Sequence, residues 1–213
     1  MLNKFNLKIW IITISILNSV FLYSVGNAKE ELNFDEAFET LRTARFSMGD
    51  GRLYEKTVKS IGQIGKVNKA LMFELTDALG YYENEEIRGS IREVIFGFGD
   101  KARDYLRTPL TYGNLRTRTE ILTVLKDWGK TSSFFIPDLL SVLENGTQYN
   151  RVLAIFTLEK IGFAEDPSIL PALQLTLKND DDPVIKAIIL RLLNGKESRT
   201  EKSKIKEIAI KSE

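Results

Sequence analysis

Residues 135–162 read FIPDLLSVLENGTQYNRVLAIFTLEKIG, and this stretch decides the fold. Counting back from Gly162, the apolar residues Ile161, Leu158 and Ala154 fall 1, 4 and 8 positions earlier. Steps of three and four set them on one face of a helix. The preceding half repeats the pattern with Ile136, Leu139, Leu140 and Leu143, so a first helix is expected over about 134–143. Two such helices joined by the polar Asn145-Gly146-Thr147 make a hairpin. The closing glycine suits a left-handed residue that ends a helix where a Cβ would clash.

Moving outward, the same apolar-glycine ending recurs as Ile64-Gly65, Phe98-Gly99 and Trp128-Gly129. From Gly65 to Gly162 the glycines are 34, 30 and 33 residues apart, a period that fits two helices and two short turns. Each ending closes a periodic run: Phe98, Ile95, Ile91 and Ile87; Trp128, Leu125 and Ile121; Ile64, Ile61, Thr57 and Leu53. Trp128 holds a core position and is expected to be buried. First helices are expected over 68–79, on Leu71, Met72, Leu75 and Leu79, and over 169–177, on Leu170, Leu173 and Leu177. Asp166-Pro167 opens the latter, with an acceptor for orphan amides and a preset first turn.

The chain therefore divides into hairpins at about 32–66, 67–99, 100–129, 130–162 and 163–195. The third is the weakest, because its first helix near 101–107 is short and Pro109 and Gly113 are expected to break the chain. Neighbouring hairpins must stack, since none can bury both its faces alone.

The ends differ from this repeat. Residues 1–28 carry only Lys4 and Lys8 as charges, then an apolar run, then Val25-Gly26-Asn27-Ala28. A basic start, an apolar middle and small residues before a cut predict a secretory signal peptide. The alternative is an uncleaved anchor, which the short run, interrupted by Thr13, Ser15, Asn18 and Ser19, suits less well. Residues 29–195 form the expected repeat domain. Residues 196–213 hold six basic and four acidic residues and few apolar ones, and a flexible charged tail is expected there.

Composition limits the chemistry. The 213 residues are 43% hydrophobic and 28% charged, enough for a core, with a net charge of +1 that gives no global case for nucleic acid. The mature chain, without Lys4 and Lys8, has 28 basic against 29 acidic residues and a net charge of −1. There is no cysteine, hence no disulfide, thiolate ligand or cysteine nucleophile. There is no histidine either, which removes the usual general base and the commonest metal ligand. Neither a phosphate-cradling glycine loop nor a nucleophile elbow occurs. Catalytic, cofactor and metal residues are all expected to be absent.

The stretches 135–162 and 169–193 resemble HEAT repeats of the bacterial, lyase-type form. Pro137 and Pro171 match the first-helix proline of that family, and Asp182-Pro183 matches its turn. Ile87-Arg88, Thr117-Arg118, Asn150-Arg151 and Ile185-Lys186 fall at its valine-arginine pair. Ile61-Gly62-Gln63-Ile64-Gly65 matches its closing pattern. Tyr54 stands where arginine is usual, and the last unit ends Leu193-Asn194-Gly195 without the full closing motif. The resemblance implies an all-α fold, a right-handed α-α superhelix (solenoid) of about five HEAT-like hairpins. It also implies a scaffold that binds other proteins, although lyases and a DNA glycosylase family share the repeat.

Arg88, Arg118, Arg151 and Lys186 recur at one repeat position, and Arg92 lies one turn beyond Arg88. One reading makes them a basic ladder on the second helices, able to grip an acidic partner or phosphates. The architectural reading pairs them with acids in adjacent turns. Lys101, Arg103, Arg107, Arg116 and Arg118 against Asp104 make the middle of the chain locally basic, with Tyr105 and Tyr112 interleaved. A patch without a basic domain is a weak nucleic-acid footprint, so none is expected. Tyr81 and Tyr82 follow Gly80 at an inter-helix turn, where exposed tyrosines can anchor a partner.

The expected function is an exported, non-enzymatic scaffold, periplasmic or secreted, that binds a protein or peptide; acidic character in the partner would suit the arginines. No cofactor is expected, and no membrane contact unless the N-terminal segment is retained. Two alternatives stand beside it: an enzyme using Asp, Glu, Lys or Tyr chemistry, and a membrane-anchored adaptor.

Overall fold

The computed structural model describes residues 33–45 and 51–194, and these are helical with short turns and no β-strand among them. The expected all-α class is observed. The segments expected to be a signal peptide and a flexible charged tail lie outside the described residues. The chain separates into two compact units, Met1–Lys66 and Val67–Glu213.

In the first unit, α1 (Phe34–Ala44) packs on α2 (Arg52–Ile64). Asn33 caps α1 by accepting from the Asp35 amide at 3.1 Å. Lys66 reaches back over the Phe34 ring at 4.4 Å. Tyr54, Thr57, Val58 and Ile61 form the inner face of α2. Leu53, expected there, is 38% exposed, because the stripe runs 54, 57, 58, 61 and Tyr54 takes the inward place.

The second unit comprises α3 (Lys69–Tyr81), α4 (Glu85–Phe98), α5 (Asp100–Tyr112) and α6 (Leu115–Trp128), then a 3-10 segment (Gly129–Phe135). After it come α7 (Ile136–Asn145), α8 (Gln148–Ile161) and α9 (Ile169–Asn179). A last described helix, α10, covers 183–194. The second helices start on a periodic capping residue. Asn84 Oδ1 accepts from the Glu86 and Ile87 amides, Asn114 from Thr117, Thr147 from Asn150, and Asp182 from Val184 and Ile185. Such a cap satisfies an orphan donor and contributes about 0.5–2 kcal/mol.

Neighbouring helices pack in two layers within this unit. Among the second helices, α4 packs on α6 and α6 on α8. Among the first helices, α3 packs on α5 and α7 on α9. Helix α3 also reaches α6, and the 3-10 segment lies against α6 and α8. The core between the layers holds Leu71, Leu75, Leu79, Ile91, Ile95, Leu125, Ala154 and Leu158, all fully buried. Each larger aliphatic side chain among them contributes about 1.5–3 kcal/mol by leaving water.

Four expectations need correction. Pro109 does not break α5, which runs through it to Tyr112. The ring removes one hydrogen bond in the last turn, and the buried Leu106 and Leu110 on either side hold that turn against the core. Trp128 is half-buried, not buried. Its ring lies at the end of α6, where Nε1 donates to the Phe96 carbonyl at 3.1 Å. The glycines of the four apolar-glycine endings, Gly65, Gly99, Gly129 and Gly162, have positive φ, but among them only Gly65 (φ 67, ψ 11) is left-handed in the strict sense. Gly99 (φ 53, ψ −132) sits in a region only glycine enters freely and turns the chain from α4 straight into α5. That one-residue turn is why the period shortens to 30 between Gly99 and Gly129. The first helix of the fourth hairpin, expected from about 134, begins as the 3-10 segment and becomes α-helical at Ile136.

Candidate functional site

The arginines sit four residues after each cap, which places them on the second turn of their helices, beside the turn that leads in. Arg88 uses that position fully. Its Nε donates to Glu120 Oε1 at 2.8 Å, its Nη1 to the Tyr82 and Glu83 carbonyls at 2.9 and 2.6 Å, and its Nη2 to Glu85. Arg92 bonds the other Glu120 oxygen through Nη1 and Glu85 through Nη2 at 2.6 Å. Arg116 clasps both oxygens of Glu83 at 2.8 and 3.0 Å. Arg151 donates from Nε to the Leu143 carbonyl at 2.8 Å and pairs with Asp180 of the next hairpin. Arg88 and Arg151 close carbonyls at the ends of first helices, and the four guanidiniums bond acids across helix boundaries.

The electrostatics follow from this arrangement. Hydrogen bonding from Arg92 holds the Glu85 carboxyl below the usual glutamate range, and hydrogen bonding from Arg116 does the same for Glu83. Burial works against the Arg92 cation, but the bonds from Glu85 and Glu120 outweigh it and raise its pKa.

Arg118 differs. Its Nε is buried without a hydrogen-bond partner among the described residues. Glu120 stands 32 residues after Arg88, but the residue 32 after Arg118 is Asn150. Asn150 is buried and neutral, and its Oδ1 is taken by the Thr119 hydroxyl at 2.7 Å. Lys186 is half-buried and makes no ion pair among the described residues. Tyr81 is 59% exposed at the end of α3, with its ring edge-on to that of Tyr82 at 5.4 Å. Tyr82 is half-buried, and its carbonyl accepts from Arg88.

A groove that sequence reasoning did not find lies between α3 and α5, with a volume of about 610 Å³. Helix α3 lines it with Lys69, Met72, Phe73, Thr76 and Asp77, and α5 with Asp104, Tyr105, Thr108, Pro109 and Tyr112. Both sets follow the three-four spacing of one helical face. Phe73 is 69% exposed and Tyr112 84% exposed. Two exposed aromatics beside one groove exceed the scattered exposure usual for a surface. Two signals pointed to this face. Phe73 lies off the buried stripe of Leu71, Met72, Leu75 and Leu79. Tyr105 and Tyr112 are 7 residues apart, two turns of one helix once Pro109 is read as tolerated.

A second, smaller cleft of about 430 Å³ lies between α4 and α6, lined by Gly89, Arg92, Glu93, Phe96, Val124 and Asp127. Its arginine is already bonded to Glu85 and Glu120.

Among the described residues, no group of three or more acidic side chains is placed to hold a metal ion. No helix among them is long and apolar enough to cross a membrane. Compared with known proteins, the chain matches no family model, no curated protein and no solved structure.

Proposed function

We propose that the chain is an exported, non-enzymatic scaffold of stacked HEAT-like hairpins that holds a peptide or protein segment in the groove between α3 and α5. The observation that carries this reading is the exposed pair Phe73 and Tyr112 on facing helices of one packed unit. Aromatic side chains on rigid elements bring large contact area at small entropic cost, which is the chemistry of a binding anchor. The volume also falls in the usual range for ligand sites. The repeat reading draws support from the period of capped second helices and from the consecutive packing of α4, α6 and α8. Export rests on the N-terminal pattern of Lys4 and Lys8, apolar run and small residues.

The arginines are the weaker surface for a partner. Arg88, Arg92, Arg116 and Arg151 are bonded within the chain, so an acidic partner would have to displace those contacts. Glu120, the buried acid an enzymatic reading would call on, is held by two arginines, which suits a strut better than a general base.

Affinity capture from the envelope fraction of the native host tests the reading, with the wild-type chain compared against Phe73→Ala and Tyr112→Ala. Both side chains are exposed, so the variants should fold. A specific protein retained by the wild type and lost from both variants supports the groove. A protein retained equally by all three sinks it.

A further inference from the structure

The groove reading leaves the ligand open, and, resting on that reading, we propose that the occupant is an extended peptide segment carrying a lysine or arginine beside apolar residues. The shape argues first. Helices α3 and α5 are each 13 residues long and pack directly on each other. The lining stretches, 69–77 and 104–112, run about 12 Å, which roughly four extended residues would span. A stretch that short would hold barely two turns of a helix, and isolated helices of that length are marginal in water, which favours an extended segment.

The chemistry argues second. The rings of Phe73, Tyr105 and Tyr112 line the groove together with the carboxylates of Asp77 and Asp104, against Lys69; Asp104 also pairs with the adjacent Arg103 at 3.6 Å but stays 73% exposed to a ligand. Aromatic faces and carboxylates both attract ammonium and guanidinium groups. Pro109 adds a further acceptor. It has no N–H, so the Tyr105 carbonyl one turn earlier loses its helical donor beside the groove. Lining that is aromatic, acidic and rich in acceptors complements a cationic donor. An acidic segment would meet two carboxylates and gain one lysine. Of the arginines that would favour an acidic segment, Arg88, Arg92 and Arg151 are bonded elsewhere in the chain, and none lines the groove.

The test uses the full chain and three labelled peptides of about eight residues, long enough to overhang the groove at both ends. All share one leucine-proline framework and differ only at the charged positions, which are arginine, glutamine or glutamate. Fluorescence anisotropy gives each Kd. The arginine peptide should bind about tenfold tighter than the glutamine peptide, with the glutamate peptide weakest. Tyr112→Ala and Asp104→Asn should each weaken the arginine peptide by about fivefold or more. Equal or tighter binding of the glutamine or glutamate peptide overturns the proposal. So does binding indifferent to Tyr112→Ala, or no binding by any of the three. If the peptides fail while Phe73→Ala and Tyr112→Ala still abolish envelope capture, the ligand class falls and the groove stands. If capture is indifferent too, both fall.

Discussion

Arg88 of α4 and Glu120 of α6 meet at 2.8 Å, with only 14% and 9% of their side chains exposed. The pair joins the second helices of successive hairpins, and Arg92 bonds the other oxygen of the same carboxylate. Removing the acid would strand two guanidiniums in a region with little water. A fully buried pair broken in this way costs about 3–5 kcal/mol. Because Arg92 retains some solvent, Glu120→Ala should cost less, about 2–3 kcal/mol. Urea denaturation of the variant against the wild type measures it. A change under about 0.5 kcal/mol, as for an ordinary surface site, would remove the pair from the account of stability.

Arg88 and Arg118 each sit four residues after the cap of their helix, yet one is fully bonded and the other has a buried Nε with no partner among the described residues. Replacing Arg88 leaves Glu85 and Glu120 to share the single cation Arg92; replacing an unpartnered donor removes a desolvation penalty. Arg88→Met should therefore destabilise by about 2–3 kcal/mol and Arg118→Met should be neutral or stabilising. Equal losses at both positions would show that the position, not the pairing, sets the cost.

Gly80 marks a close approach. A Cβ there would run into the Asn114 side chain, which caps α6, and into the Thr117 hydroxyl. Gly97 near the end of α4 has nothing within 4 Å of the same added atom. Gly80→Ala should cost about 1–3 kcal/mol through overpacking. Gly97→Ala should stabilise by about 0.5–1 kcal/mol, since alanine loses less freedom in a helix. Thermal melts of the two variants would sort in opposite directions from the wild type; a shift of the same sign would contradict the packing.

The carboxylates of Glu83 and Glu85 titrate below their usual 4.5 because arginines bond their charged form. The unfolded chain takes up these protons first as pH falls. The stabilisation is thus complete above the usual glutamate value and drains away as pH drops through the lowered folded values. Unfolding midpoints should be flat near neutrality and fall in this acid range. Glu83→Gln should make that fall shallower. An unchanged slope in the variant would show that Glu83 does not contribute.

Much of the fold was legible because burial repeats with the helical period. Phe98, Ile95, Ile91 and Ile87 are all buried as their spacing demands. The misreadings came where a local rule met tertiary packing. Pro109 reads as a breaker in isolation, but buried neighbours hold α5 through it. Trp128 continues an apolar stripe, but at a helix end its indole finds the Phe96 carbonyl instead of the core. The arginine spacing was visible, while the pairing was not. Whether Arg88 meets an acid depends on Glu120 lying across a helix interface, and no local rule gives that. The groove stayed hidden for a related reason. Phe73 and Tyr112 lie 39 residues apart, and only the packing of α3 on α5 makes them one surface.

The central claim is that this surface carries the partner. The most direct measurement places a photo-crosslinking amino acid at position 112 in the native host, with a control at Tyr149, which is 62% exposed on α8. A discrete crosslinked protein or peptide from position 112 and none from position 149 is the result this account predicts. No adduct at 112, or the same adducts from both positions, would contradict it.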